Sequence, residues 1–132
     1  MKALATILAG AALLGLGVSS ASAETLAEKG EARLAKMLEG RTPGTPVSCV
    51  NGVRSSRITV IDEVGVVYDD GKTIYVSRPS NPKSLGPWDV PIIERFGSQF
   101  CKTDLIRTVD STGGYVTGPV FLGDWVPYTK QG

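Results

Sequence analysis

Two cysteines, Cys49 and Cys101, place the tightest constraint on what this chain can fold into. If they pair, they close a loop of about 50 residues, and in the chain-entropy picture that closure stabilises a fold by on the order of 4 kcal/mol. That is a large share of a small domain's net stability. The alternative is two free thiols acting as metal ligands or as a nucleophile. Such thiols need partners, yet the chain has no histidine and neither cysteine sits in a C-x-x-C. The pairing is therefore expected, provided the chain resides where thiols oxidise.

The N-terminus predicts that it does. Lys2 supplies a positive start, and Ala3 to Val18 is almost unbroken Ala, Leu, Ile and Gly. Small residues follow, and Ala21-Ser22-Ala23 matches an A-x-A cleavage site. A membrane anchor needs about 20 apolar residues with anchoring flanks, and this run is shorter. No cysteine stands at the cleavage point for lipid attachment. The reading is a signal peptide over 1–23, an N-terminal helix and linker over 24–46, and a β domain over 47–132, periplasmic or secreted, with no membrane span after cleavage.

Charge narrows the partners. The chain holds 14 basic and 13 acidic residues, so losing Lys2 with the leader leaves a neutral mature protein. A neutral chain has no overall field to draw it to nucleic acid, and no nucleic-acid role is expected.

Thr25-Leu26-Ala27-Glu28 fits a capping box and opens a predicted helix to Leu38, ended by Gly40 and barred from resuming by Pro43. Its apolar stripe is thin and Gly30 weakens it, so a loosely docked helix or a frayed arm is expected. Arg41 to Pro46 reads as a connector. From Val47 the grammar changes to short β-branched and aromatic runs separated by Gly, Pro, Asn and Asp. Strands are expected near 47–50, 57–61, 64–69, 72–78, 91–95, 104–109, 118–122 and 125–128. Asp70-Gly71 predicts a two-residue hairpin turn in which Asp69 faces Lys72, Tyr68 faces Thr73 and Val67 faces Ile74. One face then carries Val66, Tyr68 and Tyr75, and the other Val67, Ile74 and Val76. Apolar groups on both faces predict a hairpin covered on two sides, or a small closed barrel. Pro79 to Pro91 reads as a long loop bearing Trp88, which is expected to tuck back and pin it.

Residues that carry chemistry are sparse. The commonest general base is missing with histidine. Ser98 precedes Cys101 rather than a second elbow glycine, and Lys102 is poorly placed to serve it. The acidic residues sit mostly at turns, where Asp bonds the local backbone. Asp69-Asp70-Gly71 lacks the rest of a calcium loop. No catalytic, metal or cofactor residue is assigned. Arg54, Arg57, Arg78, Arg95 and Arg107 lie among strands, where they either converge on an anion or pair with carboxylates. Val60, Ile61, Phe96, Phe100, Phe121, Trp125 and Tyr128 are expected in the core. The candidate binding residues are Trp88, Arg78 and Arg57.

A pattern of motifs runs from Val47 to Tyr128: a Cys opening the domain, Arg54-Ser55-Ser56-Arg57, Val66-Val67-Tyr68, Tyr75-Val76 ending in Arg78-Pro79, Gly97-Ser98-Gln99-Phe100-Cys101, and Trp125-Val126-Pro127-Tyr128. In these the chain resembles a family of short exported proteins of Gram-negative proteobacteria that has no assigned function. Trp125 stands where that pattern has Phe. The resemblance implies export and a single fold unit, and it brings over no catalytic residue.

The fold class expected is mainly β: one small antiparallel domain, barrel-like or sandwich-like, with a short N-terminal helix and one disulfide. The function expected is a non-enzymatic soluble binding or envelope-accessory module whose partner is a periplasmic protein or an envelope component. The alternatives are a carboxylate-dependent enzyme acting on envelope glycans, and an inhibitor of another exported protein that presents the 79–91 loop.

Overall fold

The computed structural model describes residues 24–131; the leader reading over 1–23 lies outside them. One helix and ten strands follow in order: α1 (Leu26–Met37), β1 (Arg41–Pro43), β2 (Cys49–Val50), β3 (Ile58–Ile61), β4 (Gly65–Asp69), β5 (Thr73–Pro79), β6 (Asp89–Glu94), β7 (Phe100–Cys101), β8 (Leu105–Asp110), β9 (Val116–Val120) and β10 (Leu122–Lys130). They build a five-stranded sheet in the order β1-β10-β5-β4-β3, a three-stranded sheet β6-β8-β9 and the pair β2-β7, all antiparallel. The fold is thus mainly β. The barrel expectation is corrected, because β1 and β3 remain the open edges of the large sheet.

The large sheet is covered on both faces, as the two-sided hairpin pattern predicts. On one face α1 packs Leu34 against Ile61, Val64, Val67, Ile74 and Val76. On the other, Val66, Tyr68 and Trp125 meet Val50 and Phe100 of the β2-β7 pair and Ile106 and Val120 of the small sheet. The layers therefore run helix, large sheet, small sheet. Trp125 is wholly buried at the centre, its ring centroid 4.9 Å from that of Phe100.

The face assignment of the β4–β5 hairpin holds although its register differs. Tyr68 pairs with Tyr75 and Val67 with Val76, two residues from the expected partners. The backbone bond from Asp70 N–H to the Thr73 carbonyl (2.9 Å) makes Gly71 and Lys72 the loop, with Gly71 at φ +90°. Glycine takes the first loop position, where positive φ is needed. A shift of two preserves the side-chain parity, so both faces survive it.

The helix departs from expectation in the opposite sense to fraying. Thr25 Oγ1 caps it by accepting from the Glu28 N–H (3.1 Å). Gly30 is buried, and a Cβ there would lie 2.5 Å from Val64 Cγ2 and 2.9 Å from Ile61 Cγ2. The missing side chain is what lets the helix lie close on the sheet. Part of the expected connector is β1, paired with the end of β10 through Arg41–Lys130 and Pro43–Tyr128.

Cys49 and Cys101 are bonded, directly opposite each other on β2 and β7. The bridge joins the segment between β1 and β3 of the large sheet to the segment between β6 and β8 of the small one. Among the described residues no helix is long and apolar enough to cross a membrane.

Candidate functional site

The small sheet presents one face to the core and one to solvent, and strand alternation decides which residues go where. Ile93, Ile106, Thr108 and Val120 point inward and are buried or half-buried. Across the outer face the register sets Val90, Val109 and Val116 in one row, and Ile92, Arg107 and Pro119 in the next. Glu94 and Leu105 follow, with Glu94 paired to the Arg107 guanidinium. Val90, Ile92, Leu105 and Val116 are large apolar side chains left exposed.

Two exposed aromatic residues stand at one end of this sheet, Trp88 just before β6 and Tyr115 just before β9, the Tyr115 ring lying against Gly113. The Trp88 carbonyl accepts from the Ser111 N–H (2.8 Å), and the Tyr115 carbonyl accepts from the Asp110 N–H (2.9 Å). Their side chains are 66% and 61% exposed. Between them the β8–β9 turn is tied down by Asp110, whose carboxylate accepts from the Thr112 hydroxyl and from the Thr112 and Gly113 N–H groups. These bonds, the Thr112 hydroxyl foremost, hold the Asp110 carboxyl below its ordinary pKa.

Trp88 therefore does not tuck back, which corrects the expectation from sequence. Leu85 pins the segment instead. It is buried in the core, and its carbonyl accepts from the Glu63 N–H (2.8 Å). The expected loop is also shorter at both ends: β5 runs through Pro79, β6 starts at Asp89, and a 3₁₀ turn at Pro82–Ser84 lies between. A segment anchored at its middle is a poor protruding bait.

The five arginines do not converge on one anion. The Arg78 guanidinium grips the Glu31 carboxylate of α1, and that bond lowers the Glu31 pKa and raises that of Arg78. Arg107 pairs with Glu94. Arg95 donates to the Val53 carbonyl (3.3 Å) and to Ser55 Oγ (3.0 Å), and lies 6.0 Å from the Phe100 ring centroid. Arg57 donates to the Asp69 carbonyl (3.4 Å) at the hairpin tip. Arg54 and Arg57 together line a polar cleft of about 290 Å³ with Gly52, Tyr68 and Asp70. Trp88, Arg78 and Arg57 thus sit in three separate places.

Phe96 and Phe121, expected in the core, are 94% and 66% exposed, whereas Ile61, Phe100 and Trp125 are buried as expected. Both exposed rings lie just beyond strand ends, Phe96 after β6 and Phe121 between β9 and β10. The outer face itself was missed from sequence. Its signal was the alternation of Val90 and Ile92 with Pro91 and Ile93, apolar at every position, which reads as a strand with no polar side.

Other clefts open among the described residues, three of which bear on the carboxylate reading. One is lined by Asp62 and α1, one by Asp124 and β10, and one by Ile58, Val60, Pro91, Ile93 and Arg95 with no carboxylate. None of the four clefts is lined by two carboxylates, the arrangement that glycoside hydrolysis uses. Among the described residues no three of His, Cys, Asp and Glu gather to hold a metal.

No family model, curated protein or solved structure matches this chain.

Proposed function

We propose that this protein is an exported, non-enzymatic binding module of the periplasm that holds an envelope partner on the outer face of its small sheet. The observation that carries the reading is the outer face itself, where Val90, Ile92, Leu105 and Val116 lie open to water on neighbouring strands, with the exposed Trp88 and Tyr115 at one end of the sheet. A contiguous exposed apolar face on a small domain marks an interaction site. Tyr and Trp supply most of the energy at such contacts because their large rings lose little rotamer freedom. The Glu94–Arg107 pair within the face gives polar register to a partner. Export is supported by the disulfide and by the leader pattern of residues 1–23. The resemblance to short exported proteins of Gram-negative proteobacteria supports the same compartment and adds no residue role.

A photoreactive side chain at Val90 of the exported protein is expected to yield a discrete crosslinked adduct in intact cells, while the same group at Lys36 on α1 yields none. Trp88→Ala should remove the Val90 adduct without lowering the melting temperature, since Trp88 is mostly solvated. No adduct at Val90, or one that Trp88→Ala leaves intact, contradicts the proposal.

A further inference from the structure

The outer face leaves unused the charges at one end of the large sheet. The register brings together at that end the β4–β5 tip, the start of β3 and the start of β1. Arg57 reaches the tip from one side, donating to the Asp69 carbonyl. Arg41 reaches it from the other, donating to the Lys72 carbonyl (2.9 Å) and the Gly71 carbonyl (3.2 Å). Carbonyls fix these guanidiniums in place without neutralising them. Among the described residues the ion pairs are Arg78–Glu31, Lys102–Asp124 and Arg107–Glu94, so no carboxylate lies within 4.0 Å of the Arg41, Arg54 or Arg57 guanidinium. The Arg54 side chain makes no hydrogen bond to any described residue. Asp69, whose carbonyl Arg57 bonds, has its carboxylate Oδ1 committed to the Gly71 N–H (2.8 Å).

Arg54 and Arg57 face one cleft of about 290 Å³ whose other walls are the Gly52 backbone, Tyr68 and Asp70. The buried Tyr68 places its hydroxyl here, donating to the Gly52 carbonyl (3.2 Å). Two forked cations suit a tetrahedral oxyanion. The cleft also holds acceptors, Asp70 and the Gly52 carbonyl, which repel a bare anion and welcome hydroxyl donors. The volume leaves room for more than the anion alone. We infer that this cleft binds a phosphate ester carrying free hydroxyls, with Arg54 and Arg57 on the phosphate and Asp70 on a hydroxyl. Both a free sugar phosphate and a glycerophosphate lipid headgroup present that chemistry. The inference stands apart from the outer face, which lies on the other sheet.

The test titrates the folded, oxidised protein with glucose 6-phosphate and with inorganic phosphate, followed by amide chemical shifts. Saturable shifts at Gly52, Arg54, Arg57 and Gly71 are expected, at lower concentration for glucose 6-phosphate. Arg54→Gln should weaken glucose 6-phosphate about tenfold, the scale of one charge-assisted bond, and Arg57→Gln should act likewise. Arg54→Gln keeps the fold testable, because its side chain bonds nothing described. Asp70→Ala should split the probes by tightening inorganic phosphate and weakening glucose 6-phosphate. Co-sedimentation with phosphatidylglycerol vesicles but not phosphatidylcholine vesicles identifies the headgroup as the source; binding of glucose 6-phosphate alone identifies the free ester. Absence of saturable shifts with no vesicle binding, or binding that Arg54→Gln leaves unchanged, overturns the inference. If Asp70→Ala moves both affinities in the same direction, the hydroxyl contact is overturned.

Discussion

The two tryptophans divide the molecule's work between core and surface. Trp125 is fully buried against Phe100, and Trp88 is two-thirds exposed at the end of an apolar face. Truncating a buried Trp removes its transfer energy and leaves a cavity, so Trp125→Ala should cost about 3–5 kcal/mol in urea unfolding. A loss under about 1 kcal/mol would mean that Trp125 is not the core's anchor. In Trp88→Phe the remaining emission should be blue-shifted and shielded from acrylamide, whereas Trp125→Phe should leave red-shifted, quenchable emission. The side on which each ring falls was not legible from residue type alone. Trp88 sits among prolines, and Trp125 sits in Trp-Val-Pro-Tyr, a run that is no more apolar. The difference comes from register: Trp125 stands opposite Ser77 on the inner side of β10, while Trp88 precedes an edge strand. Long-range pairing of this kind leaves no local mark.

Elements were most legible where a turn or a cap announced them. Thr25 and Glu28 predict the start of α1, and Asp70-Gly71 predicts the central hairpin and its two apolar faces. The three-residue β1 and two-residue β7 were missed as strands, because neither is long enough to show an alternating pattern and both exist only through pairing with β10 and β2. Gly30 was misread because helix propensity counts its cost and omits its packing. At Gly30→Ala the helix gains about 1 kcal/mol of propensity, but the added methyl meets two stiff β-branched side chains at 2.5 and 2.9 Å. Overpacking costs about 1–3 kcal/mol, so the melting temperature should fall; a rise would show that α1 is loosely docked. The Arg78–Glu31 pair ties the same helix to β5. Its hydrogen bond holds the folded Glu31 pKa below the ordinary 4.5. The stabilisation is therefore complete above pH 4.5 and is lost as pH falls through the lower folded value. Both side chains are half exposed, which limits the pair to about 0.5 kcal/mol. Glu31→Gln should be less stable than wild type by about that amount at pH 7 and indistinguishable at pH 2 in urea titrations.

Across the whole molecule, three layers are held by two cores and one covalent link. The helix-side core and the small-sheet core share only the large sheet between them. The disulfide lies on the small-sheet side, across strands of two residues each. Pairs that short contribute little by themselves, so the cross-link bears much of the burden of keeping the small sheet on the large one. Replacing both cysteines by serine should cost about 2–5 kcal/mol and loosen β6, β8 and β9 before β4 and β5. Amide exchange that accelerates first in β6, β8 and β9 and only later in β4 and β5 is the expected signature. Uniform exchange across both sheets would contradict it. The disulfide and the mainly β class were readable in advance because a cysteine pair and a run of turn residues are local statements. The open outer face was not, since it arises where separate strands meet; Arg54 and Arg57 were legible as candidates, but the Tyr68 and Asp70 that complete their cleft come from β4 and the turn after it and were not.

The most direct measurement is intact mass spectrometry of the native protein from fractionated cells after alkylation without reductant. The account predicts a periplasmic species beginning at Glu24, unalkylated and two hydrogens lighter than the reduced chain. An uncleaved chain in the cytosol with Cys49 and Cys101 both alkylated would contradict it.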